Sequence, residues 1–236
     1  REHNCEYKVV KGYGMTEVNA AVAACTSNET NKIGSVGIPF PNTTISIFDP
    51  KTGEELGYNE KGEVCITGPN TMLGYFNNDE ETNKILRKHE DGNVWVHSGD
   101  IGYMDADGNL YIVDRLKRMI IRPDGFKIFP SLIEDVVVKH PSVQSCKAVG
   151  LRDFSFSQGK LPKVHVVLNE TDRNPEAIEN EILMLCEEQL PEYYWPCEIE
   201  FNESLPLTPI GKIDYLKLEK EDYEKQLAAT KKLVKK

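Results

Sequence analysis

The hydrophobic pattern changes its period about halfway along the chain. Up to residue 113, apolar positions come as short alternating runs interrupted by Gly, Pro, Asn or Asp. Alternation with period two puts apolar side chains on one face of a sheet, so strands are expected at 7–11, 43–48, 63–67 and 94–100. Asp49-Pro50-Lys51-Thr52-Gly53 and Asn59-Glu60-Lys61-Gly62 carry turn chemistry, and Asp105-Ala106-Asp107-Gly108 closes a hairpin within 103–113. Asp79-Glu80-Glu81-Thr82 marks a helix start, because acids are favoured at the positive end of the helix dipole. Beyond residue 117, strands at 119–122, 126–129, 146–151, 163–168 and 198–201 are interspersed with helices. One helix runs from 130 or 131 to 140 and another from 175 to 190. Ser131 followed by Glu134 fits a capping box, and Leu132, Ile133, Val136 and Val137 form its apolar stripe. Ile178, Ile182, Leu185 and Cys186 share one face of the later helix, which reads as core.

The fold class is therefore α+β. A small, strongly bent sheet or barrel is expected first, since short strands punctuated by Gly and Pro cannot build a wide flat sheet. A small α+β domain follows. Between them runs Asp114-Arg115-Leu116-Lys117-Arg118, a charged wedge between apolar segments, which reads as a hinge between compact units or as a solvated hairpin.

Composition narrows the class further. With 236 residues, 39% hydrophobic and 28% charged, the chain is globular and long enough for two modest domains. No apolar run reaches membrane-spanning length and nothing resembles a signal peptide, so a cytoplasmic location and no membrane span are expected. A formal charge of -10 argues against nonspecific nucleic-acid binding, and the lysines after Leu216 read as a solvated helix end. The six cysteines are scattered without a close pair, which indicates neither a zinc site nor a disulfide framework but buried reduced thiols. The chain starts at Arg1 and enters at once a strand with no evident neighbour, so a fragment of something longer is expected.

Some positions carry chemistry of their own. In Gly12-Tyr13-Gly14-Met15-Thr16-Glu17 the glycines permit close backbone approach to a ligand. Tyr13 offers a flat face for a purine, Thr16 a hydroxyl for a phosphate oxygen, and Glu17 a hard oxygen for magnesium. A plain strand-to-helix turn is the alternative. Asp100, expected at a strand end, can accept from both hydroxyls of a ribose or simply bond its own turn. Arg115 reads equally as a surface ion-pair partner. In Leu205-Pro206-Leu207-Thr208-Pro209-Ile210-Gly211-Lys212 the prolines stiffen a loop from which Lys212 projects, either as a point charge for a carboxylate or phosphate or as an ordinary surface lysine.

Taken together, several segments resemble the adenylate-forming (AMP-binding) superfamily, which includes acyl- and aryl-CoA synthetases, luciferase and the adenylation domains of peptide synthetases. They are Gly12 to Glu17, Gly62-Glu63-Val64-Cys65-Ile66-Thr67-Gly68 with Gly74-Tyr75, Ser98-Gly99-Asp100, and Asp114-Arg115-Leu116-Lys117. Gly125-Phe126-Lys127 with Pro130 and Glu134, and Pro209-Ile210-Gly211-Lys212, complete the set, in the family's order and near its spacing. The resemblance implies ATP-dependent activation of a small carboxylic acid to an acyl adenylate, then thioester formation with CoA. It implies Tyr13 stacked on adenine, Gly14 beside the nucleotide, Thr16 on the α-phosphate and Glu17 on Mg2+. Asp100 and Arg115 would hold the ribose, and Lys212 would lie between carboxylate and phosphate. Lys117 would be the pivot of a domain rotation that withdraws Lys212 and brings in the Gly125 hairpin to line the thiol's tunnel.

By the same resemblance, 1–116 is the last portion of the large adenylate-binding domain and 117–236 the mobile C-terminal domain. The family's Ser/Thr/Gly-rich phosphate loop and most of the acyl pocket are missing, so the isolated chain is expected to be inactive. Seven residues separate Lys117 from Gly125, one more than in luciferase-like relatives, and Arg122 is given no role. Two alternatives stand beside CoA ligation: loading of a carrier-protein phosphopantetheine, and a non-catalytic binding fragment whose exposed face could promote self-association.

Overall fold

A computed structural model describes residues 10–27, 31–152, 154–156, 158–169 and 174–233. The chain divides into two compact units, Arg1–Lys117 and Arg118–Lys236, and the fold class is α+β. The first unit begins with β1 (Gly12–Met15), a short 3-10 turn at Thr16–Val18, and β2 (Ala20–Ala24), which pairs antiparallel with β1 and with β3 (Ile38–Pro39). The strand expected at 7–11 lies largely outside the described residues. Val10 and Lys11 are not in a strand, and the glycine segment expected as a turn is itself β1.

A five-stranded sheet follows: β4 (Thr44–Phe48), β5 (Gly62–Thr67), β6 (Leu86–Lys88), β7 (Val94–Met104) and β8 (Leu110–Arg115). Helix α1 (Asp79–Ile85) lies between β5 and β6 in the chain. Alternation does what it predicts. Ile45 and Ile47, then Val64 and Ile66, point into one core with Val18, Val22, Val96 and Leu110. Burial of each such side chain is worth roughly 1.5–3 kcal/mol. The Asn78 side chain caps α1 by accepting from the Glu81 N–H at 3.2 Å, ahead of the expected acids. Asp105 Oδ1 accepts from the amides of Asp107 (3.0 Å) and Asn109 (2.8 Å), which closes the expected β7–β8 hairpin.

One expectation fails here. β7 does not end at Asp100 but continues to Met104, because Gly99 adopts φ +69 and the pairing shifts register on both sides, between Glu63 and Cys65 and between Ile101 and Gly102. A bulge absorbs the extra residue and the ladder resumes. Asp100 is therefore inside a strand.

The second unit opens with a hairpin, β9 (Ile120–Ile121) and β10 (Lys127–Ile128), followed by α2 (Pro130–Val137). A three-stranded sheet has β12 (Lys160–Leu168) at its centre, antiparallel to β11 (Val143–Arg152) and parallel to β13 (Glu198–Phe201). Helix α3 (Pro175–Gln189) buries Ile178, Ile182 and Cys186, and α4 (Tyr215–Leu233) buries Leu218 against Val149 and Val167. The capping box does not form. Phe129 holds the N-cap position of α2 with Pro130 in the first turn, and the Glu134 carboxylate faces Arg118, Lys147 (3.1 Å) and the Ala148 amide (2.9 Å). Two cations and a strand amide outbid a single helix-end N–H. The helix stops at Val137, short of the expected 140; Pro141 disfavours helical backbone in the residue before it.

Candidate nucleotide site

In the first unit, Tyr13 sits on β1 opposite Ala23, just before a bulge that puts Gly14 against Ala21. A Cβ on Gly14 would lie 1.7 Å from the Ala20 carbonyl oxygen, so this crossing requires glycine. The bulge turns the Tyr13 ring so that its hydroxyl donates to Asp100 Oδ2 at 2.6 Å. Across the β7–β8 ladder Asp100 pairs directly with Arg115, whose Nε lies 2.7 Å from Oδ1. Three residues separated by up to 102 positions thus meet at one carboxylate. Burial pushes the Asp100 carboxyl above its ordinary range, against the opposing pull of the Tyr13 hydroxyl and Arg115. Burial and then the neighbouring Asp100 push the Tyr13 phenol well up, so it remains a donor.

The aim of Asp100 is set by Ser98 and Glu63, neither of which carries a role in the sequence motifs. Ser98 Oγ donates to the Val64 carbonyl at 2.6 Å and accepts from the Asp100 amide at 3.0 Å. Glu63 Oε1 accepts from the Gly99 amide at 3.1 Å, and its Oε2 faces His97 Nδ1 at 2.8 Å. Burial would raise the Glu63 carboxyl, but the hydrogen bond and charge of His97 and the Gly99 amide bring it below its ordinary value. Glu63 and His97 lie 34 positions apart, and no local signal in the chain links them.

Thr16 is exposed at the start of the 3-10 turn. Glu17 follows it, and its Oε1 accepts from the Tyr75 hydroxyl at 2.5 Å. Burial, then Glu17, pushes the Tyr75 phenol up to about 12. One oxygen of Glu17 is thereby fixed. Mg2+ takes one or two carboxylates together with phosphate and water oxygens, so a single oriented carboxylate fits such an ion. Among the described residues, groups of three or more ligating side chains occur elsewhere, at Glu63–Cys65–His97 and His165–Glu200–Asp222.

In the second unit, Gly125 has φ +89 at the apex of the β9–β10 turn, its amide bonded to the Arg122 carbonyl at 2.9 Å. Arg122 braces this turn: its Nε donates to Asp124 at 3.1 Å and its guanidinium to the Tyr193 carbonyl at 3.1 Å. Phe126 is half exposed and stacks on Tyr193 at 4.5 Å. The Lys212 loop closes through Thr208, whose amide donates to the Lys212 carbonyl at 2.7 Å and whose Oγ1 accepts the Lys212 amide at 3.1 Å. Gly211 at φ +77 makes that closure, and Lys212 is exposed. Lys117, also exposed, lies in the 3-10 turn Leu116–Arg118, where the two units meet in the chain. The described cysteines are all free; Cys25, Cys65 and Cys186 are buried as expected, Cys146 is half-buried and Cys197 is exposed, while Cys5 lies outside the described residues. Among the described residues no helix is long and apolar enough to cross a membrane.

Residues 1–76 match the family model of the AMP-binding enzyme, and residues 132–212 match that of the AMP-binding enzyme C-terminal domain. The chain is 38% identical over 205 residues to a long-chain fatty-acid CoA ligase of Escherichia coli O157:H7, covering 87% of this chain and 34% of that protein. It is 38% identical over 206 residues to probable 4-coumarate CoA ligase 2 of Dictyostelium discoideum, covering 87% and 35%. The chain thus spans about a third of the length of these relatives. Among solved structures, ATP-bound MatB from Rhodopseudomonas palustris aligns with a TM-score of 0.78 at 27% identity, over 91% of this chain and 41% of that one. The o-succinylbenzoate CoA synthetase of Bacillus subtilis in complex with AMP aligns with a TM-score of 0.75 at 29% identity, over 89% and 40%.

Proposed function

Because the chain belongs to the adenylate-forming family of AMP-binding enzymes, we propose that it is part of an acid–thiol ligase that activates a carboxylic acid with ATP and passes the acyl group to CoA. In the first step a carboxylate oxygen attacks the α-phosphorus and the bond to pyrophosphate breaks. In the second a thiol sulfur attacks the acyl carbon and AMP leaves. The observation that supports a nucleotide site is the convergence of Tyr13 and Arg115 on Asp100.

Each residue has a task in that scheme. The Asp100 carboxylate keeps unused lone pairs on both oxygens, enough to accept two ribose hydroxyls. Tyr13, pinned at its hydroxyl, offers its ring face to adenine, and Gly14 leaves the backbone open beside it. Thr16 donates to an α-phosphate oxygen. Mg2+ would be held by Glu17, oriented by Tyr75, and would neutralise phosphate charge. Lys212 lowers the repulsion between two anions as the pentacoordinate phosphorus forms.

The two half-reactions need different neighbours around one adenylate, and domain rotation provides them. We assign the pivot to Lys117, residues 1–116 to the large domain and 117–236 to the mobile one. Lys212 withdraws after the first step, and the Gly125 turn, braced by Arg122, lines the thiol's path. The test is Lys212→Ala in the intact enzyme. Adenylation should fall roughly 100-fold or more, the usual loss for one transition-state charge contact, while thioester formation from supplied acyl adenylate stays near wild type. Equal loss in both half-reactions removes Lys212 from this role. Thioester yield with free CoA against holo carrier protein identifies the acceptor.

A further inference from the structure

We propose that Glu63, Cys65 and His97 form a site for one thiophilic divalent cation of the zinc class. Glu63 and Cys65 are two apart on β5 and so share a face, and His97 is the register partner of Cys65 on β7. The thiol sulfur lies 3.5 Å from His97 Nδ1, that nitrogen lies 2.8 Å from Glu63 Oε2, and all three ligand atoms are within 4.8 Å of one another. Tetrahedral zinc, with bonds of about 2.0–2.3 Å to these atom types, holds its ligand atoms roughly 3.3–3.6 Å apart. The sulfur–nitrogen spacing already has that value. The nitrogen–oxygen spacing needs to open by about half an ångström, the difference between a shared proton and a shared cation.

The surroundings are those of a supported site. Cys65 is fully buried, and Glu63 and His97 are 5% and 9% exposed. The second carboxylate oxygen of Glu63 is held by the Gly99 amide. His97 Nε2 lies 2.9 Å from His89 Nε2, so a cation on Nδ1 leaves an Nε2–H that donates to His89, the outer contact that fixes a ligating imidazole. His89 and His97 also line an open cleft with Phe48, Arg87 and Trp95, which gives an ion a way in. Glutamate and thiolate together carry two negative charges, so a divalent ion leaves the buried cluster neutral. Burial, then Glu63, pushes the Cys65 thiol well up. Binding must therefore expel the thiol proton and free His97 Nδ1 of its proton, so affinity rises with pH.

The other ligand-rich cluster does not qualify. At His165, Glu200 and Asp222 the Lys163 ammonium lies 2.6 Å from Glu200 and 2.7 Å from Asp222, so a cation already occupies the place an ion would take.

The test uses the purified 236-residue chain, reduced and stripped of metal, titrated with Cd2+ as a spectroscopic probe and with Zn2+ as competitor. A near-ultraviolet thiolate-to-cadmium charge-transfer band should saturate at one equivalent and be displaced by Zn2+. Cys65→Ser should abolish it, Glu63→Gln and His97→Gln should weaken affinity at least tenfold, and Cys197→Ser should leave it intact. Circular dichroism checks that each variant is folded. Should a variant unfold, X-ray absorption of the wild-type zinc form decides, with one sulfur and the rest nitrogen or oxygen expected. No saturable band, a band unchanged in Cys65→Ser, or a sulfur count other than one overturns the proposal.

Discussion

Asp100→Asn is the sharpest probe of the proposed nucleotide site, because the substitution preserves shape and changes only what the two terminal atoms accept. In the wild type Oδ1 faces Arg115 Nε at 2.7 Å and Oδ2 takes the Tyr13 hydroxyl at 2.6 Å. An amide NH2 cannot face a guanidinium, so the asparagine oxygen turns to Arg115 and the NH2 to Tyr13, which must reverse its own hydrogen bond. One of the two acceptors proposed for the ribose disappears. A hydrogen bond to a charged group is worth about 1.5–3 kcal/mol, so AMP affinity in the intact enzyme should fall roughly 10- to 150-fold at 1.4 kcal/mol per decade.

Calorimetric titration with AMP and with 2′,3′-dideoxy-AMP separates this from general damage, since the dideoxy nucleotide has nothing to lose and its affinity should hardly change. Folding stability is not expected to suffer. Arg115 is 62% exposed at its side chain, which screens the ion pair. The raised folded pKa of Asp100 also means that its favourable contribution, complete below the ordinary 3.8, is lost as pH rises through the raised value. At neutral pH the charge is a burden that asparagine relieves. An AMP affinity within threefold of wild type, or equal losses for both nucleotides, would refute the ribose assignment.

Asp222→Ala should cost the second unit about 1–3 kcal/mol in denaturant unfolding, because it removes one of the carboxylates around buried Lys163 and leaves His165 Nε2 without the acceptor 2.8 Å away; a loss under about 0.5 kcal/mol contradicts the network. The carboxyls of Asp222 and Glu200 are both raised by burial but lowered more, Asp222 by His165 and Lys163 and Glu200 by Lys163 and Lys225, so both lie below their ordinary 3.8 and 4.5. Their contribution is therefore present above those values and lost as pH falls through the depressed ones; melting temperatures should be level from pH 7 to 5 and drop below about 4, a drop that Asp222→Ala should blunt. Gly14→Ala should break the β1–β2 crossing, since its Cβ would meet backbone and not a movable side chain; unchanged near-ultraviolet dichroism from Tyr13 would show that the ribbon tolerates it.

Local chemistry was legible in the sequence; partnership across the sheet was not. The hairpin at 105–109 forms because Asp105 bonds amides two and four residues on, and such short-range bonds are written in the turn residues themselves. The stripe Ile178, Ile182, Cys186 is buried because its period is that of a helix. Glu134 shows the limit. Its spacing from Ser131 satisfies a helix-end rule, yet Arg118, Lys147 and the Ala148 amide, distributed over other segments, claim the carboxylate. In the same way the cysteine spacing gave no hint of a ligand cluster, since the partners of Cys65 are a residue two back on its own strand and one on the next strand.

A regular antiparallel ladder uses every backbone group and points side chains alternately to two faces, so re-aiming one side chain off that alternation takes an irregularity. The candidate site sits where that regularity is suspended. The register slips between Tyr13 and Gly14, between Glu63 and Cys65, and between Ile101 and Gly102. Asn19 and Ala20, immediately after the Thr16–Val18 turn, adopt φ of 55 and 83. Left-handed backbone at a non-glycine residue costs on the order of 1–3 kcal/mol and persists only where the surroundings enforce it. Here the core residues Val18 and Val22 on either side supply that enforcement. Asp100, aimed by Gly99, Ser98 and Glu63, is bought with the same currency: three hydrogen bonds hold a bulge that the sequence, left to its alternation, would have ironed into a strand.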